Sequence, residues 1–461
     1  MKKACLVSAV ISLCMLLCSC STGQNISSAT DASMSTEDPA SITAPTENIT
    51  EPDEGEVLHI YSLNNSLMYS VIAANPDYID NKDETGYIGN TKVIWETPPK
   101  NADYNYSDML RSVLERETDN ADERIDIFII EPDLSYAEEY IRSYALPLSE
   151  IGITDSDTAQ MYDFTKQHGI VDGTLKAVTW TANAGVFAYR RSIAKEILGT
   201  DTPDEVQQYV TDWDKFTETA QLMKNGGYHM HITHDETFSM FYQNISAPMS
   251  SDNRITVDPS LTAWAELSKL YMDNNYITDS TMWSDGWADR MADGTVFGCF
   301  MPTWGIEYTI PSNAGESSGD WAICEGPAPY YGGGEYICVA KDTDNPETAC
   351  EFIRTICCNS EVMKYLASPY YTVMPNNILS AEALAKDEAY NSEFLGGQNP
   401  YSVYNPAAKA INAENVISDD YGISFAFSAA MRYYITGQKT YDEALEEFFN
   451  SYSAQKILSE Q

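Results

Sequence analysis

The chain has 461 residues, with 27 Lys and Arg against 69 Asp and Glu, a formal charge of −42. At roughly 100–200 residues per domain, that length accommodates two or three domains with real cores. Hydrophobic residues make up 43% and aromatics 11%, which excludes a largely disordered acidic chain. The sign excludes proteins that neutralise phosphate or anionic lipid with clustered Lys and Arg.

Lys2 and Lys3 precede an uncharged, mostly apolar stretch from Ala4 to Cys18. It is too short to span a bilayer and has the length of a signal-peptide core. The run Leu17-Cys18-Ser19-Cys20 resembles the bacterial lipobox, which implies cleavage after residue 19 and lipidation of Cys20. The alternative is an ordinary signal peptide cut nearby. From Ser21 to Glu56 there are eight acids and no Lys or Arg among Ser, Thr and Pro; such a segment cannot bury enough apolar surface to fold and reads as a tether.

Strand and helix signals then alternate. Val57–Tyr61, Lys92–Trp95 and Ile125–Ile130 are apolar or β-branched runs, and Ser66–Ala74 and a helix capped at Ser107 fall between them. Ser135-Tyr-Ala-Glu138 is a capping box opening another helix. That β-α-β-α-β-α order predicts an α/β domain with a mostly parallel sheet. Strands follow at Lys176–Trp180 and Gly185–Tyr189, and helices at Thr211–Lys224, Asp258–Asn274 and Asn345–Cys358. The last two helices are Gly422–Ile435, stopped by Gly437, and one opened by the box Thr440-Tyr-Asp-Glu443. Helices dominate the middle and end, which predicts two α/β lobes of unequal helix content.

Ten cysteines occur. Three lie in the signal and Cys20 takes the lipid, leaving Cys299, Cys324, Cys338, Cys350, Cys357 and Cys358. An even number outside the cell permits disulfides, whereas their apolar contexts fit buried free thiols. The sequence holds no CxxC, HExxH or P-loop. His229, His231 and His234 are clustered, but strand spacing puts only the first two on one face. The reading calls for no metal, no cofactor and no enzymatic activity.

Several ordered blocks together resemble the extracellular solute-binding proteins of ABC transporters, family 1, the maltodextrin-binding type. They are Asp126-Ile-Phe-Ile-Ile-Glu-Pro-Asp133 followed by Glu139 to Leu148; Gly173 to Trp180 with Ala184 to Arg191; Thr211-Asp-Trp-Asp-Lys-Phe216; Phe297 to Trp304; and Pro327 to Tyr336 with the helix from Asn345. Gly437, Thr440 and Glu443-Ala-Leu445 close the series. Two departures, Thr179 where the family commonly has Pro and the segment Gly169–Gly173, touch the hinge. The resemblance implies a two-lobe periplasmic-binding-protein-like α/β fold of type II, with a ligand cleft between hinged lobes. It divides the chain into a signal (1–19), an anchor and tether (20–56), a first lobe (57–180 plus about 320–365) and a second (181–319 plus about 366–461).

A sugar site needs flat aromatic faces for C–H-rich ring surfaces and amides or carboxylates for hydroxyls, placed where strands end. The candidates are Asn64, Asn65, Asp133, Trp180, Asn183, Trp304, Tyr330 and Tyr331; Glu131, Tyr370 and Tyr371 have weaker placement. Trp283 and Trp287, at i and i+4, read as a core-facing helix stripe. The glycines of Tyr330-Tyr-Gly-Gly-Gly334 suit close backbone approach to a ligand. The implied protein is a monomeric, lipid-anchored receptor on the outer face of the cell membrane. It takes a carbohydrate and hands it to permease subunits, with no nucleic-acid partner. A surface enzyme acting on polysaccharide, or a receptor for a cationic or peptide ligand, are the alternatives.

Overall fold

The computed structural model describes residues 55–459 except 76–77, 82–83, 99–104, 132–133, 135, 252–253 and 368–373. The signal, Cys20 and nearly all of the tether lie outside the described residues, as do Asp133, Tyr370 and Tyr371. Two sheets organise the remainder. The first has seven strands, in the order Tyr78–Asp80, Thr85–Ile88, Thr91–Glu96, Val57–Tyr61, Ile127–Ile130, Tyr336–Val339, Ala177–Val178. The second has three, Gly298–Pro302, Gly185–Arg190 and Trp321–Cys324.

Period-2 side-chain alternation explains why both sheets are covered on two faces. In Ile127–Ile130 the residues Ile127 and Ile129 join one core with Leu58, Ile60, Val93 and Ile337. Phe128 and Ile130 turn the other way, to Tyr61, Tyr106, Tyr140 and Cys338. The second sheet does the same, with Phe187, Tyr189 and Phe300 on one face and Val186, Ala188, Cys299 and Met301 on the other. Helices cover these faces, and their start signals hold locally. Asp212 accepts from Lys215 N (2.8 Å) to open Trp213–Gly226, and Asp258 from Ser260 N (2.8 Å) to open Pro259–Asp273. Thr440 and Glu443 exchange reciprocal bonds before Tyr441–Ser459. The helix Tyr106–Leu114 is capped by Asn105, not Ser107.

Three expectations change. The first sheet is mixed rather than mostly parallel. Only the pairings of Val57–Tyr61 with its two neighbours are parallel, because a hairpin fills residues 78–88 and the strand at 336–339 enters from the opposite direction. Strand Trp321–Cys324, placed by the sequence reading with the first lobe, pairs antiparallel with Gly185–Arg190 in the second sheet. The return crossing therefore starts after Cys324. The helix from Pro346 continues through 354–358 as a π-helical turn instead of regular α-helix. The six cysteines are all unpaired, five of them buried and Cys358 half-buried.

Segment Gly169–Gly173 forms part of a short hairpin in which Ile170–Val171 pairs with Thr174–Leu175. Its two turn residues, Asp172 and Gly173, have φ of +53° and +75°, as a two-residue Asp-Gly turn requires.

Candidate functional site

Chain segments pass between the two sheets side by side. Residues 179–184 run outward, residues 325–335 return, and Met374–Asn376 lies against the first of these. Ala182 N donates to Met374 O (2.9 Å), Gly185 N to Tyr330 O (2.7 Å) and Gly332 N to Asn183 O (2.9 Å). Asn376, fully buried, staples them. Its Nδ2 donates to Thr179 O (2.9 Å), and its Oδ1 accepts from Tyr162 N (3.1 Å) and Thr165 Oγ1 (3.0 Å). Thr179 serves this arrangement in place of a proline, since its hydroxyl accepts from Thr181 N (3.2 Å) while its carbonyl receives Asn376.

Trp304 follows the strand Gly298–Pro302, and its indole N–H donates to Gly332 O (2.8 Å) in the returning segment. The ring is half-buried and stacks on Trp283, with centroids 5.8 Å apart and planes 18° apart. Beside it Thr303 Oγ1 donates to Asn183 Oδ1 (3.2 Å). Asn183, Trp304 and the turn at 332–334 thus form one constellation. Gly332 is glycine for packing, because a Cβ there would stand 2.4 Å from Pro302 Cβ; Gly333 and Gly334 supply φ of +67° and +148°. The glycine run shapes a turn beside Trp304, and a Cβ at Gly333 would meet nothing within 4 Å.

At one end of two neighbouring antiparallel strands of the first sheet, Tyr336 pairs with Ile130, so Glu131, which follows one strand, and Glu335, which precedes the other, lie at the same end. Glu335 accepts from Asn64 Nδ2 (2.7 Å). Burial raises its carboxyl to about 7 against the lowering effect of hydrogen bonds from Ser66 and Asn64. Asn64 Oδ1 accepts from Ser66 N (2.6 Å), so both ends of that amide are engaged at the start of helix Ser66–Ala74. Between the sheets, the His168 ring lies 4.4 Å from the Tyr331 ring, edge to face, and burial lowers its pKa to about 4. On the turn after Trp304, Glu307 accepts from Tyr404 (3.1 Å), and burial pushes its carboxyl up to about 7.

The family model for bacterial extracellular solute-binding proteins matches residues 100–392, well over half of the chain. The chain belongs to that family. The solute-binding protein also shares its fold with solved structures. One is a family 1 extracellular solute-binding protein, with TM-score 0.71 and 16% identity over 86% of this chain and 98% of that one. Another is the galacto-N-biose/lacto-N-biose I-binding protein of the ABC transporter from Bifidobacterium longum in complex with lacto-N-biose (TM-score 0.62, 14% identity, 88% and 99% covered). A third is an ABC substrate-binding protein from Listeria monocytogenes in complex with cycloalternan (TM-score 0.58, 14% identity, 87% and 99% covered). No curated protein matches the sequence.

In the solute-binding protein the candidate residues separate into two groups. Trp304, Asn183, Asn64 and Asn65 are exposed or half-buried along the crossings. Trp180, Tyr330 and Tyr331 are buried in this structure. Trp180 is 2% exposed in the core of the first sheet, and the Tyr330 ring covers Gly185, where a Cβ would meet it at 2.0 Å. The Tyr331 hydroxyl pairs with that of Tyr421, while its N–H donates to Gln243 Oε1 (2.8 Å). Each aromatic follows a strand or crossing, as expected, but faces the core side of the chain.

Trp283 is the aromatic that the spacing argument misplaced. It precedes Ser284, the cap of helix Asp285–Ala292, so it shares no helix face with Trp287. Glu335 and His168 also went unmarked, since nothing local distinguishes them from other acids or from a core histidine. His231 and His234 are buried in the second sheet's surroundings. His231 Nδ1 lies 3.4 Å from Glu236, and His234 Nε2 lies 3.2 Å from Asp235. Among the described residues no group of three or more His, Cys, Asp or Glu side chains is arranged to hold a metal. Two surface concavities, about 410 Å³ on the final helix and about 310 Å³ beside Asp157 and Lys364, are lined by none of the candidate residues.

Proposed function

We propose that this solute-binding protein captures a carbohydrate, an oligosaccharide by preference, for an ABC importer, with Cys20 anchoring the mature chain by lipid on the outer face of the cell membrane. The observation that carries the reading is Trp304, a half-buried indole at a strand end, tied by its N–H to the returning crossing. Its ring can stack on the C–H face of a pyranose. Asn183 beside it, and Glu131 and Glu335 at the strand ends of the first sheet, supply acceptors for hydroxyls. The lobes are the two sheets with their covering helices, and residues 179–184 and 325–335, with Met374–Asn376 against the first of them, are the hinge. Ligand touching both sheets favours the closed form by differential affinity. That form presents one surface of each lobe to the permease pair, and the sugar leaves chemically unchanged. The sugar complexes of two of the fold relatives support the ligand class.

A thermal-shift and calorimetry panel of mono- and oligosaccharides, amino acids, peptides and polyamines tests the reading. A sugar that raises the melting temperature and is recovered intact is the expected result. Trp304→Ala should then cost roughly 2 kcal/mol of binding, as for a central anchor. Binding of polyamines or peptides alone would overturn the ligand class, and sustained product release would overturn capture without chemistry. Mass spectrometry of the mature N-terminus tests the anchor; an unmodified Cys20 removes it.

A further inference from the structure

A chain of side chains runs from the buried interior of the second sheet to Trp304. It starts at Glu236, whose side chain has no solvent exposure. Glu236 Oε1 accepts the indole N–H of Trp287 at 2.7 Å, while Oε2 lies 3.4 Å from both Ile232 N and His231 Nδ1. Trp287, 2% exposed, meets Trp283 with ring centroids 4.9 Å apart. Trp283 stacks in turn on Trp304, whose N–H ends the chain on Gly332 O.

Trp283 has φ +69°, a left-handed conformation in which a bulky side chain crowds its own carbonyl. Such a residue persists only where its surroundings over-determine it, and strain of this kind clusters at ligand clamps. Here the determinants are visible. Ser284, the next residue, holds its backbone by accepting from Trp287 N, and the two indoles hold its ring. A buried carboxyl is itself costly to retain, burial raising the Glu236 pKa, and its shortest hydrogen bond goes to an indole.

We propose that Trp283 and Glu236 are positioning residues for ligand capture. The carboxylate fixes Trp287, Trp287 fixes Trp283, and the strained Trp283 backs the Trp304 ring so that its other face is ordered before a sugar arrives. Preordering removes a side-chain immobilisation cost from binding. This rests on the reading of Trp304 as a ligand contact, and the test separates the two.

The first measurement uses the ligand-free mature chain with ¹⁵N-labelled indoles, following hydrogen exchange of the Trp304 Nε1–H, assigned with Trp304→Phe. Trp283→Ala should speed that exchange about tenfold, the equivalent of loosening one hydrogen bond, and Trp283→Phe should restore most of the protection. Glu236→Leu should act like Trp283→Ala, whereas Glu236→Gln, still able to accept from Trp287, should not. The Trp321 Nε1–H, held by Ser317 Oγ at 2.8 Å, is the control, since general unfolding releases it too. Should Trp283→Ala fail to fold, Trp283→Leu takes its place. Exchange at Trp304 that stays within about twofold of the parent in these variants overturns the proposal. The second measurement titrates maltotriose, lacto-N-biose and cycloalternan. If none binds but a peptide or polyamine does, and Trp283→Ala weakens that binding with the exchange pattern intact, the sugar reading fails and the positioning chain stands. If a sugar binds and Trp283→Ala leaves its affinity unchanged, the chain has no role in capture.

Discussion

Replacing Asn376 tests whether the crossings are held by one side chain. Asn376→Ala removes three hydrogen bonds, to Thr179 O, Tyr162 N and Thr165 Oγ1. Each contributes about 1 kcal/mol net, and more where the abandoned partner stays buried without water. Thr165, Thr179 and Tyr162 are all at most 2% exposed, so the sum is about 3–5 kcal/mol, a large share of the ~5–15 kcal/mol by which a domain is stable. The assay is urea unfolding at neutral pH, checking that the slope stays constant so that the midpoint reports stability. Asn376→Asp refines the test. A neutral Asp donates its O–H to Thr179 and still accepts from Tyr162 and Thr165, but an ionised one turns a buried charge toward a carbonyl. The Asp variant should therefore approach the parent near pH 4 and the Ala variant near pH 8. A loss below about 1 kcal/mol for Asn376→Ala, or an Asp variant insensitive to pH, would refute the staple.

Further outcomes follow from backbone strain and burial. Trp283→Gly should unfold at higher urea than Trp283→Ala by about 1 kcal/mol, because both lose the ring but only glycine escapes the left-handed penalty at φ +69°; equal midpoints would remove the strain. Burial lowers His168 to about 4, so between that value and about 6.5 the unfolded chain binds the proton that the native state refuses. Native stability relative to His168→Phe should thus rise with pH across this window, by ~2–3 kcal/mol at about 1.4 per pKa unit. A constant difference in urea unfolding between pH 4 and pH 7 would contradict it.

The elements were legible because their signals are local. The continuous apolar run of Ile127–Ile130 and the caps Asp258 and Thr440 need no distant partner to be recognised, whereas the helix expected from Thr211 starts at Trp213 with Asp212 as its cap. Pairing direction was not legible. Tyr336–Val339 reads as a strand, but nothing within it states that it will lie antiparallel beside Ile127–Ile130, and Trp321–Cys324 carries no mark of which sheet it joins. The site divides in the same way. Trp304 and Trp180 both follow a strand, yet the first is half-buried and the second lies in a core, since position along the chain does not give side-chain direction. Trp283 was misread because a single serine cap, one residue later, takes it off the helix and into strained backbone. His168 and Glu335 owe their environment to neighbours more than a hundred residues away, Tyr331 and Asn64, which no spacing argument reaches.

The strand Tyr336–Val339 has a consequence for how the molecule is made. It sits between Ile127–Ile130 and Ala177–Val178, strands that leave the ribosome long before it. Until residue 339 has emerged, both neighbours present unpaired edges and the first sheet is split in two. The second sheet, whose strands all lie between residues 185 and 324, can pair in the meantime. Completing the earlier sheet then requires closing a loop that contains every strand of the later one, an entropic cost that comes before its reward. A chain stalled or cleaved between the two events would hold a paired second sheet beside an open first one, a species prone to edge-to-edge association.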